Sequence, residues 1–501
     1  MDFPKGKPEC NGRWPTIKNI REGEEVKIFA LILCLFILQI AVILLLEFRR
    51  PQRALAWLFI AFCCPPLGLL FYYFFGRDYW QSRKLDKRCI SLFREIRAHL
   101  SGKIKLVADA ADSGNPHFAD YKELLHLLSR LSEIPVTGRN KSQVLFDGRE
   151  AFESMLDAME AARDNIHMEF YIFRDDEIGE RFQDVMIRKS RQGVRVRLLC
   201  DGLGSHKLGR RFIRTLRNAG VEVHFFLPPL ISLLDRRFNF RNHRKIIVVD
   251  GRVGFTGGLN IGDDYLGKDP KLGYWRDTHL RLEGDAVYSL QYIFLKDWRL
   301  ATGEGMNHPR FFPAHECTEE EAVLVVASGP DGALDASQEM YFASIVAAKQ
   351  RIWITSPYFI PDPTICRALK NAVLSGVDVR IIIPAIPDSR LVYYASLSYL
   401  ENLQDAGVKF YRYQKGFMHA KVMIIDDLLG TVGSANLDMR SFYSNFELTA
   451  VLFRPEVIAG LAASVEQDLQ HSEFIEPAIF RRRGNHVKLI ESLCQLLSPL
   501  L

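Results

Sequence analysis

The sequence predicts an α/β protein in which two tandem, related repeats follow an N-terminal pair of membrane helices. Three observations support this prediction. Two long uncharged segments lie within the first 75 residues. Beyond residue 100, short β-rich runs alternate with helical stretches, which is typical of α/β folds. The same series of segments and of polar motifs also occurs twice along the chain.

The composition is that of an ordinary globular protein. The chain has 501 residues, 48% of them hydrophobic and 25% charged, with a formal net charge of +5. These values exclude a disordered chain, a collagen-like fibre and a disulfide miniprotein. The charge balance is too mild to indicate a nucleic-acid partner. The nine cysteines form no CxxC pair, which argues against a disulfide framework or a zinc site.

Two apolar segments near the N-terminus predict a membrane helical hairpin. Residues 28–46 and 54–75 carry no charge, and each segment has about the 20 residues that a bilayer span needs. A cleaved signal peptide has a shorter apolar core, and a second apolar segment would not follow it directly. Pro65 and Pro66 should kink or break the second segment, so a full span and a re-entrant half-span are both possible.

Strand-like segments in the first half of the chain recur in the second half. Residues 166–173 and 193–200 match residues 352–359 and 376–383, with offsets of 186 and 183. A third pair of matching segments has an offset of 187. Three matches in the same order indicate an internal duplication.

These matches define the predicted domain organisation. An N-terminal segment (1–27) precedes the two apolar segments, and a juxtamembrane helical linker (76–135) follows them. We place the first repeat at 136–315 and the second at 316–480. Apolar residues at helical spacing after Arg481 to Arg483 predict a C-terminal amphipathic helix over 481–501. This helix either touches the membrane or packs on the protein.

A polar motif with the pattern H-x-K-x4-D-x6-G-[GS]-x-N occurs once in each repeat. The offset between the two copies is 176 residues at every fixed position. A lone H-x-K carries little information, but two copies of the whole pattern inside a wider repeat are not accidental. The candidate site residues of the two motifs are His243, Lys245, Asp250, Asn260, His419, Lys421, Asp426 and Asn436.

Residues at positions i and i+2 of a strand point to the same face, so each histidine projects together with its lysine. Two lysines and two asparagine amides at a shared site would hold the oxygens of a phosphoryl group without a metal. One imidazole can attack phosphorus while the other protonates the leaving alkoxide and then deprotonates the incoming alcohol. Each repeat supplies one histidine, so we expect the site at the interface between the repeats. We expect neither a metal nor another cofactor.

Each histidine also needs an acceptor that orients its other ring nitrogen. The candidates follow the two motifs: Asp277 lies 17 residues beyond Asn260, and Glu447 lies 11 residues beyond Asn436. Asp277 could instead form an ion pair with the neighbouring Arg276. The aspartates of the two motifs end their strands, and we expect them to hold local backbone.

The sequence resembles the phospholipase D superfamily, whose double H-x-K-x4-D motif it carries in full. It is more narrowly similar to the bacterial cardiolipin synthases, over almost the whole chain. The segments that carry this narrower resemblance are 239–245, 257–267, 275–277, 356–361, 416–421 and 497–501.

The resemblance implies two tandem phospholipase D-like αβα sandwich domains with pseudo-two-fold symmetry. It also implies a phosphatidyltransferase that moves the phosphatidyl group of one phosphatidylglycerol to a second and releases glycerol. His243 would then form a phosphohistidine and His419 would be the acid and base, with no cofactor and no nucleic-acid partner. The expected location is the bacterial plasma membrane, as a multi-pass protein. The oligomeric state stays open.

Three alternatives remain at this point. A phospholipase D-type hydrolase would use the same residues, with water as the acceptor. A nuclease of the superfamily would need a basic groove lined with aromatic side chains and has no need of membrane segments. A non-enzymatic membrane scaffold would not need the intact histidines and lysines.

Overall fold

The computed structural model describes residues 17–48, 51–76, 87–107, 121–228, 239–332 and 334–501. Contacts divide the chain into two compact units, Met1–Gly76 and Arg77–Leu501. Residues 1–16 of the predicted N-terminal segment lie outside the described residues. Residues 77–86 and 108–120 of the predicted linker lie outside them as well.

The first unit begins with a long helix, Ile17–Leu46. Its part Lys27–Leu46 is the one helix among the described residues that is long and apolar enough to cross a membrane. Most of the side chains on this part are exposed. The predicted first membrane segment, 28–46, is therefore helical over its whole length.

The second apolar segment forms two short helices, Pro51–Cys63 and Pro65–Phe75, that fold back on each other. The rings of Trp57 and Tyr72 are 5.4 Å apart between centroids. At the open end, Arg53 Nη2 donates a hydrogen bond to the Gly76 carbonyl at 2.6 Å. The chain reverses where Pro65 begins a new helix, since proline lacks the N–H that would continue the first one. The expectation of a multi-pass protein is therefore not supported.

The second unit starts with two helices, Lys87–Ser101 and Lys122–Leu131, and continues with the first repeat. The strands of this repeat are β1 (Asn140–Asp147), β2 (Asn165–Phe170), β3 (Arg195–Asp201), β4 (Glu222–Phe226), β5 (Arg241–Asn242), β6 (Ile246–Val249), β7 (Val253–Gly257) and β8 (Tyr274–Gly284). Its helices are Gly148–Glu160, Glu177–Arg191, Arg210–Asn218 and Asp285–Thr302.

The second repeat has the same alternation of strands and helices. Its strands are β9 (Val323–Ser328), β10 (Arg351–Thr355), β11 (Phe359–Ile360), β12 (Asp378–Pro384), β13 (Lys409–Tyr413), β14 (Gly416–Met418), β15 (Val422–Ile425), β16 (Leu429–Gly433), β17 (Leu437–Asp438), β18 (Asn445–Leu452) and β19 (Ser472–Phe474). Its helices are Ala336–Ala347, Pro363–Leu374, Arg390–Gln404, Met439–Tyr443, Pro455–Gln470 and Pro477–Arg481, and the helix Asn485–Leu496 follows.

The two sheets have matching strand orders, which confirms the predicted duplication. The first sheet runs β1-β8-β7-β6-β2-β3-β4, and the second contains β9-β18-β16-β15-β10-β12-β13. In each sheet three parallel strands, β2-β3-β4 or β10-β12-β13, lie beside antiparallel strands. The central strands β6 and β15 are buried along their whole length, as expected for strands covered on both faces.

The two repeats share one of the three large clusters of buried apolar side chains. This cluster combines Val248 and Trp298 of the first repeat with Val422 and Leu448 of the second. Each of the other two clusters consists mainly of side chains of one repeat. The shared core explains why both repeats belong to one compact unit.

Candidate active site

A short strand of each repeat pairs with the sheet of the other repeat. β5 pairs in parallel with β18 of the second repeat, and β14 pairs in parallel with β8 of the first. The histidine of each motif follows directly: His243 N donates to the Phe446 carbonyl at 2.9 Å, and His419 N donates to the Arg276 carbonyl at 2.7 Å. Both motif histidines therefore lie at the interface between the repeats.

The imidazole of His243 pairs with the carboxylate of Glu447. His243 Nδ1 lies 3.0 Å from Glu447 Oε2, and the carboxylate is fully buried. Glu447 also accepts hydrogen bonds from Ser434 Oγ and, at 3.1 Å, from Asn445 Nδ2. Burial opposes ionisation of Glu447, but His243, Lys245 and the Ser434 hydroxyl together outweigh it and keep the pKa of Glu447 below its usual value.

The imidazole of His419 pairs with Asp277 in the same way. His419 Nδ1 lies 2.6 Å from Asp277 Oδ2, and Asp277 is fully buried. Burial would raise the pKa of Asp277, but His419, Lys421 and the Thr278 amide together outweigh it and the pKa is lowered. In both pairs a carboxylate holds Nδ1, so Nε2 is the ring nitrogen left for chemistry.

The pairing of imidazole and carboxylate is crossed between the repeats. The sequence order suggested that Asp277 serves the first motif and Glu447 the second, but each carboxylate orients the histidine of the other repeat. The alternative ion pair between Asp277 and Arg276 is also wrong, because the Arg276 guanidinium contacts Asp468 at 2.8 Å. The crossing follows from the exchanged strands β5 and β14.

The two motif lysines are buried beside their histidines. Lys245 Nζ donates to the His243 carbonyl and Lys421 Nζ to the His419 carbonyl, each at 2.6 Å. Burial lowers the pKa of Lys245 to about 7 and that of Lys421 to about 8. A buried ammonium costs free energy unless an anion compensates it, so this pair of cations is suited to binding an anion.

Both imidazoles have lowered pKa values for the same reasons. Burial lowers the pKa of His419 to about 3, with a further contribution from the charge of Lys421. Burial also lowers the pKa of His243, and the charges of Lys245 and Lys421 act in the same direction. Each lysine thus acts electrostatically on the imidazole of the other repeat, so the two couples lie within electrostatic range of each other.

Asp250 and Asp426 hold backbone at the far ends of β6 and β15. The Asp250 carboxylate accepts hydrogen bonds from the amides of residues 163, 164 and 165 at 2.7–2.8 Å. The Asp426 carboxylate accepts from the amides of residues 349, 350 and 351 over the same distances. Both aspartates have positive φ, 52° and 49°, a region that aspartate tolerates better than most residues. These contacts are structural, so we assign neither carboxylate to the chemistry.

The two motif asparagines have different surroundings. Asn260 Oδ1 accepts from the amide of Ile172 at 3.0 Å, and its Nδ2 donates to Tyr265 Oη at 2.9 Å. Asn436 is buried, and its Oδ1 has no hydrogen-bond partner. Asn260 thus supports the walls of the site, while the Asn436 amide keeps the capacity to bind an incoming polar group.

The residue two positions before each asparagine is adapted to the nearby carboxylate. A Cβ atom on Gly258 would lie 2.0 Å from Asp277 Oδ1, so only glycine leaves room for that carboxylate. The corresponding Ser434 donates its hydroxyl to Glu447 instead. Contacts with the carboxylates of Asp277 and Glu447 therefore explain why this motif position holds glycine in one repeat and serine in the other.

Two buried arginines secure the strands that carry these pairs. Arg244 forms an ion pair with Asp297 and donates to the Glu447 carbonyl at 3.1 Å. Arg276, paired with Asp468, donates to the Asp277 carbonyl. Sequence reasoning missed Asp297 and Asp468, because nothing in the local pattern of their helices marks them.

Aromatic side chains that sequence reasoning did not assign to the site line the two imidazoles. Tyr171 and His243 have ring centroids 4.9 Å apart, and the Lys245 ammonium is 5.8 Å from the Tyr171 ring. Trp275 lies 5.0 Å from the His419 ring. The available signal was positional, because Tyr171 directly follows β2 and Trp275 shares a face of β8 with Asp277.

Among the residues that the structure describes, no three His, Cys, Asp or Glu side chains form a group that could hold a metal ion. The candidate site consists of two imidazole–carboxylate pairs and two ammonium groups. Such a site can hold a phosphate diester between cations and offer it one nucleophile and one acid–base group.

Comparison with known proteins agrees with this geometry. A family profile described as "Cardiolipin synthase, PLD-like domain" matches residues 155–296 and 341–469, once in each repeat. A second profile, described as "Phospholipase_D-nuclease N-terminal", matches residues 28–77.

Curated relatives match over nearly the whole chain. The cardiolipin synthase of Geobacillus thermodenitrificans is 44% identical over 481 residues, which are 96% of this chain and 95% of the relative. The cardiolipin synthase of Halalkalibacterium halodurans is 42% identical over 482 residues, with the same coverage of both chains.

A solved structure shares the fold. The phosphatidylserine synthase of Haemophilus influenzae Rd KW20 covers 72% of this chain and 95% of its own, with a TM-score of 0.57. The sequence identity is 14%, so this likeness concerns the fold alone.

Proposed function

Because this chain belongs to the cardiolipin synthase family of phosphatidyltransferases, we propose that it moves the phosphatidyl group of one phosphatidylglycerol to a second. The products are cardiolipin and glycerol. The crossed pairs His243–Glu447 and His419–Asp277 carry this proposal, since they supply two oriented imidazoles at one anion-binding site.

In the first step, His243 Nε2 attacks phosphorus and the bond from phosphorus to the glycerol oxygen breaks. His419 Nε2–H gives its proton to that oxygen, so glycerol leaves as a neutral alcohol. The negative charge of the bound phosphate diester raises the pKa of His419, which lets it carry the required proton. Lys245 and Lys421 stabilise the charge on the non-bridging oxygens.

In the second step, the neutral His419 takes the proton from a hydroxyl group of the second phosphatidylglycerol. The hydroxyl oxygen attacks phosphorus, and the bond from phosphorus to His243 Nε2 breaks. Cardiolipin is released and His243 is neutral again. His419 returns its proton to solvent and takes up another when the next phosphate diester binds and raises its pKa. The assignment of His243 as the nucleophile rests on the resemblance to the superfamily.

We further propose that the chain resides in the bacterial plasma membrane. Its relatives are bacterial cardiolipin synthases, which are membrane-associated, and the helix Lys27–Leu46 is long enough to span a bilayer. The hairpin 51–75 would then enter the bilayer and leave it on the same side.

A product analysis tests the proposed transfer. Membranes that contain the full chain are supplied with phosphatidylglycerol labelled in the glycerol of its headgroup. We expect cardiolipin and one equivalent of free labelled glycerol. Phosphatidic acid as the main product would instead identify a hydrolase that uses water as the acceptor.

A further inference from the structure

The C-terminal helix Asn485–Leu496 carries an apolar stripe that faces away from the protein. Leu489, Leu493 and Leu496 follow one another at intervals of four and three residues, so they lie on one side of the helix. Their side chains are 61%, 43% and 43% exposed. Ile490, beside the stripe, is 41% exposed.

The opposite side of this helix buries a carboxylate. Glu491 is 3% exposed, and its two oxygens accept hydrogen bonds from Arg483 at 2.9 and 2.8 Å. Arg483 also contacts Glu401 of the helix Arg390–Gln404 at 3.2 Å. A helix on a water-facing surface normally buries its leucines and exposes its glutamates. This helix does the reverse, and ion pairs hold it in place.

Basic residues precede this helix in the chain and lie on it, and most of them are paired with carboxylates. Arg481 and Arg482 are exposed. Ile479, which precedes them in the chain, is 71% exposed. Arg481 pairs with Asp405, and Lys488 approaches Glu401 at 3.3 Å. The only carboxylate side chain between residues 477 and 496 is Glu491, which Arg483 neutralises.

Packing links the stripe to the candidate active site. Cys494, on the buried side of the helix, belongs to one apolar group with Ala395 and with Ile360 of β11. β11 pairs with β17, which begins directly after Asn436. The turn Ser498–Leu500 also contacts the helix Met439–Tyr443, which follows β17. The helix is therefore supported by the elements next to the second motif.

We propose that this surface docks on the anionic phospholipid bilayer and so brings the active site to the lipid headgroups. We call it the C-terminal apolar surface. It consists of Leu489, Ile490, Leu493 and Leu496. An amphipathic helix with a basic border lies in the membrane interface with its apolar side among the acyl chains. The proposal rests on the phospholipid substrate proposed above and adds a binding surface to it.

A second copy of the chain fits this surface less well than a bilayer. Two-fold contacts place the same patch of both copies face to face. The exposed Arg482 of one copy would then approach that of the other, and like charges repel. An anionic bilayer attracts the same cations.

Fluorescence quenching tests the docking directly and requires no turnover. Leu493→Trp is introduced into the full chain, which is reconstituted in vesicles of phosphatidylglycerol and phosphatidylethanolamine with brominated acyl chains. The parent protein supplies the background of the six native tryptophans. We expect the added tryptophan to be quenched by the brominated lipid.

The matched control is Leu374→Trp. Leu374 is 74% exposed and ends the helix that precedes β12. The start of β12 lies beside the start of β10, whereas Lys421 precedes the residue that pairs with the end of β10. Leu374 therefore lies near the opposite end of the strands from Lys421. We expect no quenching of this tryptophan. Equal quenching of both tryptophans, or none for Leu493→Trp, overturns the proposal. The proposal is also overturned if the protein is a dimer that becomes monomeric when the leucines of the stripe are replaced.

An activity measurement separates docking from catalysis. The triple variant Leu489→Gln, Leu493→Gln, Leu496→Gln is compared with the control variant Val346→Gln, Leu374→Gln. We expect the triple variant to lose at least tenfold in kcat/KM on phosphatidylglycerol in vesicles. On short-chain phosphatidylglycerol dispersed as monomers it should stay within twofold of the parent.

The control variant should stay within twofold on both substrates. An equal loss of the triple variant on both substrates, or no loss on vesicles, overturns the docking proposal. Quenching of Leu493→Trp in a protein that forms no cardiolipin would instead leave the docking surface in place and refute the proposed function.

Discussion

At the scale of single residues, the candidate site contains three buried side chains and one nearly buried side chain, His243, that are matched in pairs. His243 and His419 each have Nδ1 held by a buried carboxylate, and Lys245 and Lys421 lie beside them. Under the proposed mechanism the lysines would supply the positive charge that other phosphoryl-transfer sites obtain from a metal ion. The proposed transfer would then need only groups that the chain itself carries.

Removal of either imidazole should nearly abolish transfer. We expect His243→Ala and His419→Ala each to lower kcat by at least about 10³-fold, the scale seen when members of catalytic triads are removed. The measurement is cardiolipin formation in vesicles by the reconstituted full chain. His126→Ala is the control, because His126 is exposed on the helix Lys122–Leu131. A variant of either motif histidine that keeps a tenth of the parent activity would contradict the assignment.

The lowered pKa values of Lys245 and Lys421 predict a loss of kcat/KM at alkaline pH. In the free enzyme the ammonium form of Lys245 is lost as the pH rises through about 7, and that of Lys421 as the pH rises through about 8. Raising the pH through these values removes the charges that bind the phosphate diester, which itself stays anionic. We therefore expect kcat/KM to fall between about pH 7 and pH 9, since kcat/KM reports groups of the free enzyme.

The same argument predicts that kcat falls at a higher pH than kcat/KM. A bound anion stabilises the ammonium form, so the pKa values of both lysines rise in the complex. The measurement is a pair of pH profiles on vesicles of constant composition. A kcat/KM value that stays constant from pH 7 to pH 10 would show that the lysines remain charged and that their burial has no effect on binding.

Chelators should leave the transfer unchanged, because the lysines already provide the charge. We expect treatment with EDTA, followed by assay in metal-free buffer, to change the rate by less than twofold. Strong inhibition that a divalent ion reverses would contradict a mechanism that uses side chains alone.

At the scale of secondary-structure elements, the exchanged strands decide which groups meet. β5 and β14 each add to the sheet of the other repeat, and the buried ion pairs Arg244–Asp297 and Arg276–Asp468 secure the strands at these crossings. Removal of one partner of a buried ion pair leaves an uncompensated charge, which costs about 3–5 kcal/mol of stability. These ion pairs therefore stabilise the folded state next to the motif histidines.

Asp297→Asn and Glu169→Gln provide a matched test of this contribution. Burial, followed by the charge of Asp297, raises the pKa of Glu169 well above its usual value, so its surroundings favour the neutral carboxyl. We expect Asp297→Asn to lower the thermal unfolding midpoint by several degrees, because Arg244 loses its partner. Glu169→Gln keeps an uncharged group of the same shape and should change the midpoint little. Equal shifts in both variants would contradict this account.

The exchange of strands between the repeats also explains which site residues could be identified from the sequence. The spacing of His243 and Lys245, and its repetition at His419, was sufficient to propose a two-histidine site. The crossed partners were not predictable, because residue spacing describes one chain segment and the exchanged strands connect distant ones. Asp297 and Asp468 were missed for the same reason.

At the scale of the whole molecule, the N-terminal unit contains one candidate span and one short hairpin. The hairpin helices have 13 and 11 residues. At 1.5 Å per residue they extend about 20 and about 17 Å, less than the roughly 30 Å of a bilayer core. Neither helix can therefore cross the membrane alone, and the contact between Arg53 and Gly76 brings the two ends of the hairpin together.

This arrangement predicts that residues 48 and 76 lie on the same side of the membrane. Alkaline phosphatase, which is active only outside the cytoplasm, is fused after Phe48 or after Gly76, and green fluorescent protein is fused at the same positions. We expect the fusions at both positions to show the same combination of phosphatase activity and fluorescence. Opposite patterns would show that the segment 54–75 crosses the bilayer.

The sequence by itself determined the α/β class, the duplication, the apolar N-terminal segments and the histidines and lysines of the site. These features are encoded locally, in periodicity, in composition and in a repeated spacing. Only the tertiary structure decided that each histidine is oriented by the carboxylate of the other repeat, that the chain reverses after Cys63, and that the C-terminal leucines face outward. Those outcomes depend on which surfaces pack together, and packing joins residues whose separation along the chain carries no signal of contact.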